Sequence, residues 1–103
     1  MFLAIINTGV KMKINVEYTA QLKEITGVSV EHYDISENCG LLQLIKVIAD
    51  KHGERFRDFV LTGDGLIMPS IMISINNEQV YTEDSIYLKE NDTVSFLSPM
   101  AGG

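Results

Sequence analysis

The sequence predicts an α+β fold: one mixed β-sheet of about four to five strands packed on one main helix. Three observations predict it. Ile14, Val16 and Tyr18 alternate with polar residues, and so do Ile71, Ile73 and Ile75, the period of strands with one buried face. Leu41, Leu44, Ile45, Ile48 and His52 recur instead at steps of three and four, the spacing of one helix face. The length, 103 residues, suits one domain with one core.

The first strand covers residues 13–19. Residues 20–27 read as a connection that returns Leu22 and Ile25 to the core, and residues 28–35 as a second strand with Val28, Val30 and Ile35 apolar. Two such neighbours form an antiparallel pair. Asn38 is placed to cap a helix over about residues 39–52. Gly53 follows at once and suits a left-handed C-cap, while Lys51 and His52 put positive charge in the last turn. Residues 54–61 add a short helical turn that buries Phe56 and Phe59. Residues 62–69, with Gly63-Asp64-Gly65, form a loop before the strand of Ile71, Ile73 and Ile75. Asn76-Asn77 makes a tight turn into residues 79–81, because asparagine tolerates positive φ. Residues 85–88 are irregular or 3₁₀, Asn91-Asp92 turns the chain, and residues 93–97 are the last strand.

Composition excludes several classes of function. The formal net charge is -6, and an acidic chain without a basic stripe is a poor ligand for nucleic acid. An acidic surface suits docking onto a basic protein groove. The single cysteine, Cys39, makes no intrachain disulfide and no Cys-rich zinc site, which favours a reducing, cytoplasmic setting. No apolar run spans a membrane. Residues 1–11 are apolar without a basic leader and are set aside as an N-terminal extension of unknown role, leaving a domain over residues 12–103.

Strand, strand, helix, strand, short strand, strand, with alternating strands and one apolar helix face, is most economically the β-grasp, or ubiquitin-like, arrangement. The first and last strands then lie side by side in the sheet centre, and the C-terminus leaves a rigid element. That terminus is Gly102-Gly103. It has no β-carbons and one free carboxylate, so it fits a channel too narrow for other residue pairs.

Particular segments carry a family resemblance. Residues 18–27, Tyr-Thr-Ala-Gln-Leu-Lys-Glu-Ile-Thr-Gly, are similar to the first-strand-and-loop signature of the MoaD/ThiS-like sulfur carriers, most of all the small subunit of molybdopterin synthase. Ile75-Asn76-Asn77-Glu78 resembles that family's Val-Asn-Gly-Glu turn, and residues 88–94 resemble its Leu-x-x-Gly-Asp-x-Val. Ser98-Pro99-Met100-Ala101-Gly102-Gly103 resembles its Pro-Pro-x-x-Gly-Gly ending. Asn77 and Asn91 stand where the family usually has glycine, and Ser98 replaces the first proline.

The resemblance implies a carrier with no bound cofactor, whose catalytic groups lie on its partners. Gly103, preceded by Gly102, is adenylated by an E1-like adenylyltransferase that uses ATP, and a sulfur donor protein then converts it to a thiocarboxylate. The large subunit of molybdopterin synthase is the next partner, and the sulfur goes to a pterin precursor. Two other fates of the same tail are a ubiquitin-like modifier, joined to lysines through Gly103, and a carrier for thiamine or another sulfur pathway. A third reading is a plain interaction domain whose terminus is idle.

Ordering each backbone residue costs about 1–2 kcal/mol, so threading Met100 to Gly103 into a pocket needs help from the folded body. The body therefore docks through its own surface, on the order of 800 Å² per partner. With Val94 and Phe96 inward, Leu97 points outward. Leu97, Pro99, Met100 and Ala101 are the expected partner-binding residues; the competing place for Leu97 is beneath the 62–69 loop. Cys39 at a helix N-terminus is a candidate for a lowered thiol pKa, weighed against a structural role. His32 and His52 lack ligand-spaced neighbours, so no metal site is expected.

Overall fold

The computed structural model describes residues 11–81 and 86–97. They form β1 (Lys11–Tyr18), α1 (Ala20–Thr26), β2 (Val30–Ser36), α2 (Leu41–His52), α3 (Glu54–Val60), β3 (Met72–Ile75), β4 (Glu78–Val80) and β5 (Thr93–Leu97). The strands make one sheet in the order β2-β1-β5-β3-β4. β1 and β5 run parallel, and the other neighbours are antiparallel. This is the ubiquitin-like β-grasp, with the first and last strands adjacent as the sequence pattern implies. β1 starts earlier than that pattern marks, with Lys11 opposite Ser36.

The alternation in β1 buries Met12, Ile14, Val16 and Tyr18 and leaves Lys11, Lys13 and Glu17 in water. Val94, Phe96 and Ile73 complete the inner face. Against it lies α2, through Leu41, Leu44, Ile45, Ile48 and Ala49. Fully burying one such side chain contributes roughly 1.5–3 kcal/mol, which is why the pattern fixes the helix face. Among the described residues no helix is long and apolar enough to cross a membrane.

Several local expectations need correction. Residues 20–26 are a helix, not a bare connection. Leu22 is its fully buried anchor, and Gly27, at φ 81° and ψ 2°, ends it in the left-handed conformation. The second strand begins at Val30, not at residue 28; its inward residues are Glu31, Tyr33 and Ile35, and Val28 and Val30 are exposed. Asn38 does not cap α2, because its φ of 70° belongs to a turn and an N-cap needs extended backbone. The cap is Gly40, whose N–H donates to Gln43 Oε1 at 2.8 Å. Finally, Gly53 has φ 91° but ψ -167°, a region open essentially to glycine alone. It joins α2 to α3 rather than closing α2 with a left-handed turn. α3 buries Phe56 and Val60, and Phe59 is only half-buried.

The 76–77 turn behaves as expected: Ile75 pairs with Glu78, and Asn76 and Asn77 have φ of 54° and 72°, the φ signature of a type I′ hairpin. Asn76 Nδ2 donates to Asp92 Oδ1, while the Thr93 N–H donates to Asn76 Oδ1, both at 2.9 Å. Asp92 Oδ2 also accepts from the Lys89 N–H at 2.8 Å. This lock joins the β3–β4 turn to the start of β5, so the central strand enters the sheet at a fixed place.

Candidate functional site: the root of the C-terminal tail

β5 is the middle strand of five, hydrogen-bonded to β1 on one edge and β3 on the other. Its register runs Val16↔Val94, Glu17↔Ser95 and Tyr18↔Phe96 against β1, and Ile73↔Phe96 and Met72↔Leu97 against β3. Phe96 is wholly buried. Its ring stacks on Tyr18 at 6.0 Å between centroids and 11° between planes, and Phe56 meets it edge-on at 6.1 Å. The position from which residues 98–103 begin is thus set by an aromatic cluster beneath it.

Leu97, the next residue, points the other way and is 38% exposed. Its cross-strand partner Met72 is 39% exposed on the same face. The two make an apolar spot on the open side of the sheet, not a buried contact under the 62–69 loop. Val28, Val30 and Tyr81 are further exposed apolar residues. Pro99, Met100, Ala101, Gly102 and Gly103 lie outside the described residues. Met72 is invisible to local sequence reasoning because its pairing with Leu97 is long-range.

Below Tyr18 sits a polar cluster that sequence reasoning misses. Glu31 Oε1 accepts from Tyr18 Oη at 2.7 Å, Tyr33 Oη at 2.8 Å and His52 Nε2 at 2.9 Å. Glu31 Oε2 lies 3.0 Å from Lys51 Nζ, which also stands 5.4 Å over the Tyr33 ring. A carboxylate only accepts, so His52 Nε2 carries the proton in this contact. Burial pushes the Glu31 carboxyl up, but donors from His52, Tyr18, Lys51 and Tyr33 outweigh it and hold the group down at about 2. Burial first, and then the Glu31 hydrogen bond, push the Tyr18 and Tyr33 hydroxyls well above their ordinary range. The cluster lets an acid and two phenols sit at the edge of the core with their polar atoms paired.

Cys39 precedes the α2 cap and is half-buried, its Sγ 3.4 Å from the Gly40 carbonyl. Burial pushes its thiol pKa up, against the lowering that a helix N-terminus would produce. Among the described residues no group of three or more His, Cys, Asp or Glu side chains is placed to hold a metal ion.

A model of the ThiS family matches residues 16–103, from the middle of β1 through the last glycine. The chain belongs to the ThiS family. A molybdopterin synthase sulfur carrier subunit from Chlamydomonas reinhardtii is 25% identical over 92 residues, covering 89% of this chain and 100% of that protein. Among solved structures, a putative molybdopterin converting factor, subunit 1, from Pyrococcus furiosus superposes with a TM-score of 0.68 at 25% identity. That superposition covers 86% of this chain and 99% of the other. The small archaeal modifier protein 1 (SAMP1) of Methanosarcina acetivorans gives a TM-score of 0.73 at 22% identity, with 92% and 100% covered; this second likeness is one of fold. The family match takes in the root just described, the buried Phe96 and the exposed Leu97.

Proposed function

We propose that this ThiS-family protein is a sulfur carrier that works as the small subunit of molybdopterin synthase. The supporting observation is that the family match runs through Gly103 on a chain whose last described strand ends at the centre of a rigid sheet. The full-length likeness to a molybdopterin synthase sulfur carrier subunit favours this branch.

In this reading the Gly103 carboxylate oxygen attacks the α-phosphate of ATP on an E1-like adenylyltransferase, and pyrophosphate leaves. Sulfide-level sulfur from a sulfur donor protein then attacks the acyl carbon, AMP leaves with the C–O bond electrons, and a thiocarboxylate remains. On the large subunit of molybdopterin synthase that sulfur attacks a carbon of the pterin precursor, and water then cleaves the Gly103 acyl C–S bond, leaving the sulfur on the pterin and restoring the carboxylate. The carrier contributes position, not acid–base chemistry. Leu97 and Met72 form the apolar part of the docking face, with Pro99, Met100 and Ala101 entering the partner's channel and Gly102 passing its narrowest point. Six residues beyond Leu97 reach at most about 20 Å when extended, so the body must sit close to the partner's active centre.

The test is to incubate the protein with ATP, a cognate adenylyltransferase and a sulfide source, and to weigh it intact. The expected product is heavier by the difference between one sulfur and one oxygen atom, and a chain extended by one alanine after Gly103 stays unloaded. An unchanged mass with an enzyme that loads its own carrier overturns the proposal. Lysine peptides carrying a Gly-Gly branch in native cells would select the modifier reading instead. Transfer of the sulfur to a thiazole precursor rather than a pterin would select the thiamine branch.

A further inference from the structure

Thr19 occupies the N-cap position of α1, with φ -128° and ψ 160°. A threonine there ordinarily turns its hydroxyl to a free N–H of the first helical turn. Thr19 makes no such side-chain cap. Its Oγ1 instead donates to the Phe96 carbonyl at 3.1 Å. The backbone explains the diversion. The β1–β5 ladder ends at Tyr18↔Phe96, because Ala20 turns the chain with φ 51° and the Thr19 carbonyl is taken by the Leu22 and Lys23 N–H groups at 3.1 and 3.4 Å. Beyond Tyr18, β1 turns into α1, and the Thr19 hydroxyl donates to the Phe96 carbonyl at the last rung of the ladder.

We propose that Thr19 is a positioning residue: its hydroxyl, held by the Phe96 carbonyl, fixes where the last strand leaves the sheet and so sets the reach and direction of residues 98–103. The inference rests on the carrier reading above, because it concerns delivery of Gly103 to an activating enzyme. Leu97 is held on its other edge opposite Met72, so the hydroxyl completes a two-sided grip on the end of β5. Without it the strand end peels from β1. The segment that must be ordered in the partner's channel then lengthens, and ordering it opposes binding.

The experiment compares Thr19→Val, Thr19→Ser and a control, Thr26→Val, in ATP–pyrophosphate exchange driven by the cognate adenylyltransferase. Thr26 Oγ1 donates to the Leu22 carbonyl at 2.9 Å, so its loss removes a hydroxyl contact of the same kind at the far end of α1. Thr19→Val should raise the KM for the carrier about three- to tenfold, the size of one net hydrogen bond, with kcat little changed. Thr19→Ser should restore the KM, and Thr26→Val should leave it alone. An equal KM for Thr19→Val and wild type, or an equal rise in Thr26→Val, overturns the inference while leaving the carrier reading intact. If the wild type itself is never activated, the carrier reading fails. Hydrogen exchange of the Phe96 and Leu97 amides still tests the grip in that case. These amides should exchange faster in Thr19→Val and as in wild type in Thr19→Ser, and unchanged exchange in Thr19→Val would sink the anchor itself.

Discussion

Tyr18 Oη donates to Glu31 Oε1 at 2.7 Å, and through this contact the strand beside the tail root is tied to the second strand and to the end of α2. The same tyrosine carries the Phe96 ring on its face. A buried polar pair and a buried aromatic pair therefore share one side chain. Disturbing the first is expected to disturb the second.

The Glu31 cluster predicts a defined pH response. The carboxyl titrates at about 2 in the folded protein against an ordinary 4.5, so its contribution is complete above 4.5 and is lost as pH falls from there towards 2. The raised hydroxyls of Tyr18 and Tyr33 act at the other end: their contribution is complete below the ordinary value of 10 and is lost as pH rises beyond it. Glu31→Gln should cost about 1–3 kcal/mol at neutral pH, since an amide cannot accept from every donor. Urea midpoints measured from pH 2 to 7 should fall steeply on acidification in wild type and less so in Glu31→Gln. Parallel curves would refute this account.

The Asn76–Asp92 lock predicts an order of stabilities. Asn76→Gly keeps the positive φ easily but loses both side-chain bonds, whereas Asn76→Ala loses the bonds and adds strain at φ 54°. The expected order is wild type, then Gly, then Ala, with a total loss of about 2–3 kcal/mol for alanine. Chemical denaturation of the three proteins decides it, and alanine at least as stable as glycine would contradict the proposed roles.

Gly53 is constrained by backbone, not by space. A Cβ added there meets nothing within 4 Å, yet φ 91° and ψ -167° exclude other residues. Gly53→Ala should destabilise by about 1–3 kcal/mol. Gly63→Ala, also in open space, should stay within about 0.5 kcal/mol of wild type. Thermal melts that fail to separate the two variants would show that the α2–α3 joint relaxes.

The Leu97–Met72 pair predicts a binding defect without a folding defect. Leu97→Asp and Met72→Asp each place a charge at the centre of the proposed docking face and should weaken binding of the proposed partner, the large subunit of molybdopterin synthase, by roughly 1–2 kcal/mol or more. The control is Val47→Asp, at an exposed position on α2. Calorimetric titration that finds the α2 variant worse than both sheet variants would move the docking face elsewhere.

Period and turn chemistry made much of this fold legible. Ile14, Val16 and Tyr18 gave β1, the Leu41 to Ile48 stripe gave α2, and two asparagines gave the β3–β4 turn. α1 is not legible from period, because seven residues with one fully buried anchor, Leu22, carry too little of it; its readable signal is Gly27. The face of β2 is not legible from its apolar residues, because Val28 and Val30 fall out of step with Ile35. The actual register puts Glu31 inside, a placement that makes sense only with Tyr18, Tyr33 and His52 around it, and those come from three elements. Leu97 was legible as outward from the alternation of β5, while Met72 and Thr19 needed the sheet to be assembled first.

The parallel pairing of β1 with β5 has a mechanical consequence. A partner that pulls along the tail strains the ladders on both edges of β5 together, in shear, and no single bond opens first. Traction between Gly103 and Lys11 loads the strands lengthwise, whereas traction between Gly103 and Ala20, at the near end of β1, peels them one rung at a time. Single-molecule stretching should need more force in the first geometry, and equal forces would rule out that load path. A carrier built this way tolerates being tugged by its tail while its fold stays closed.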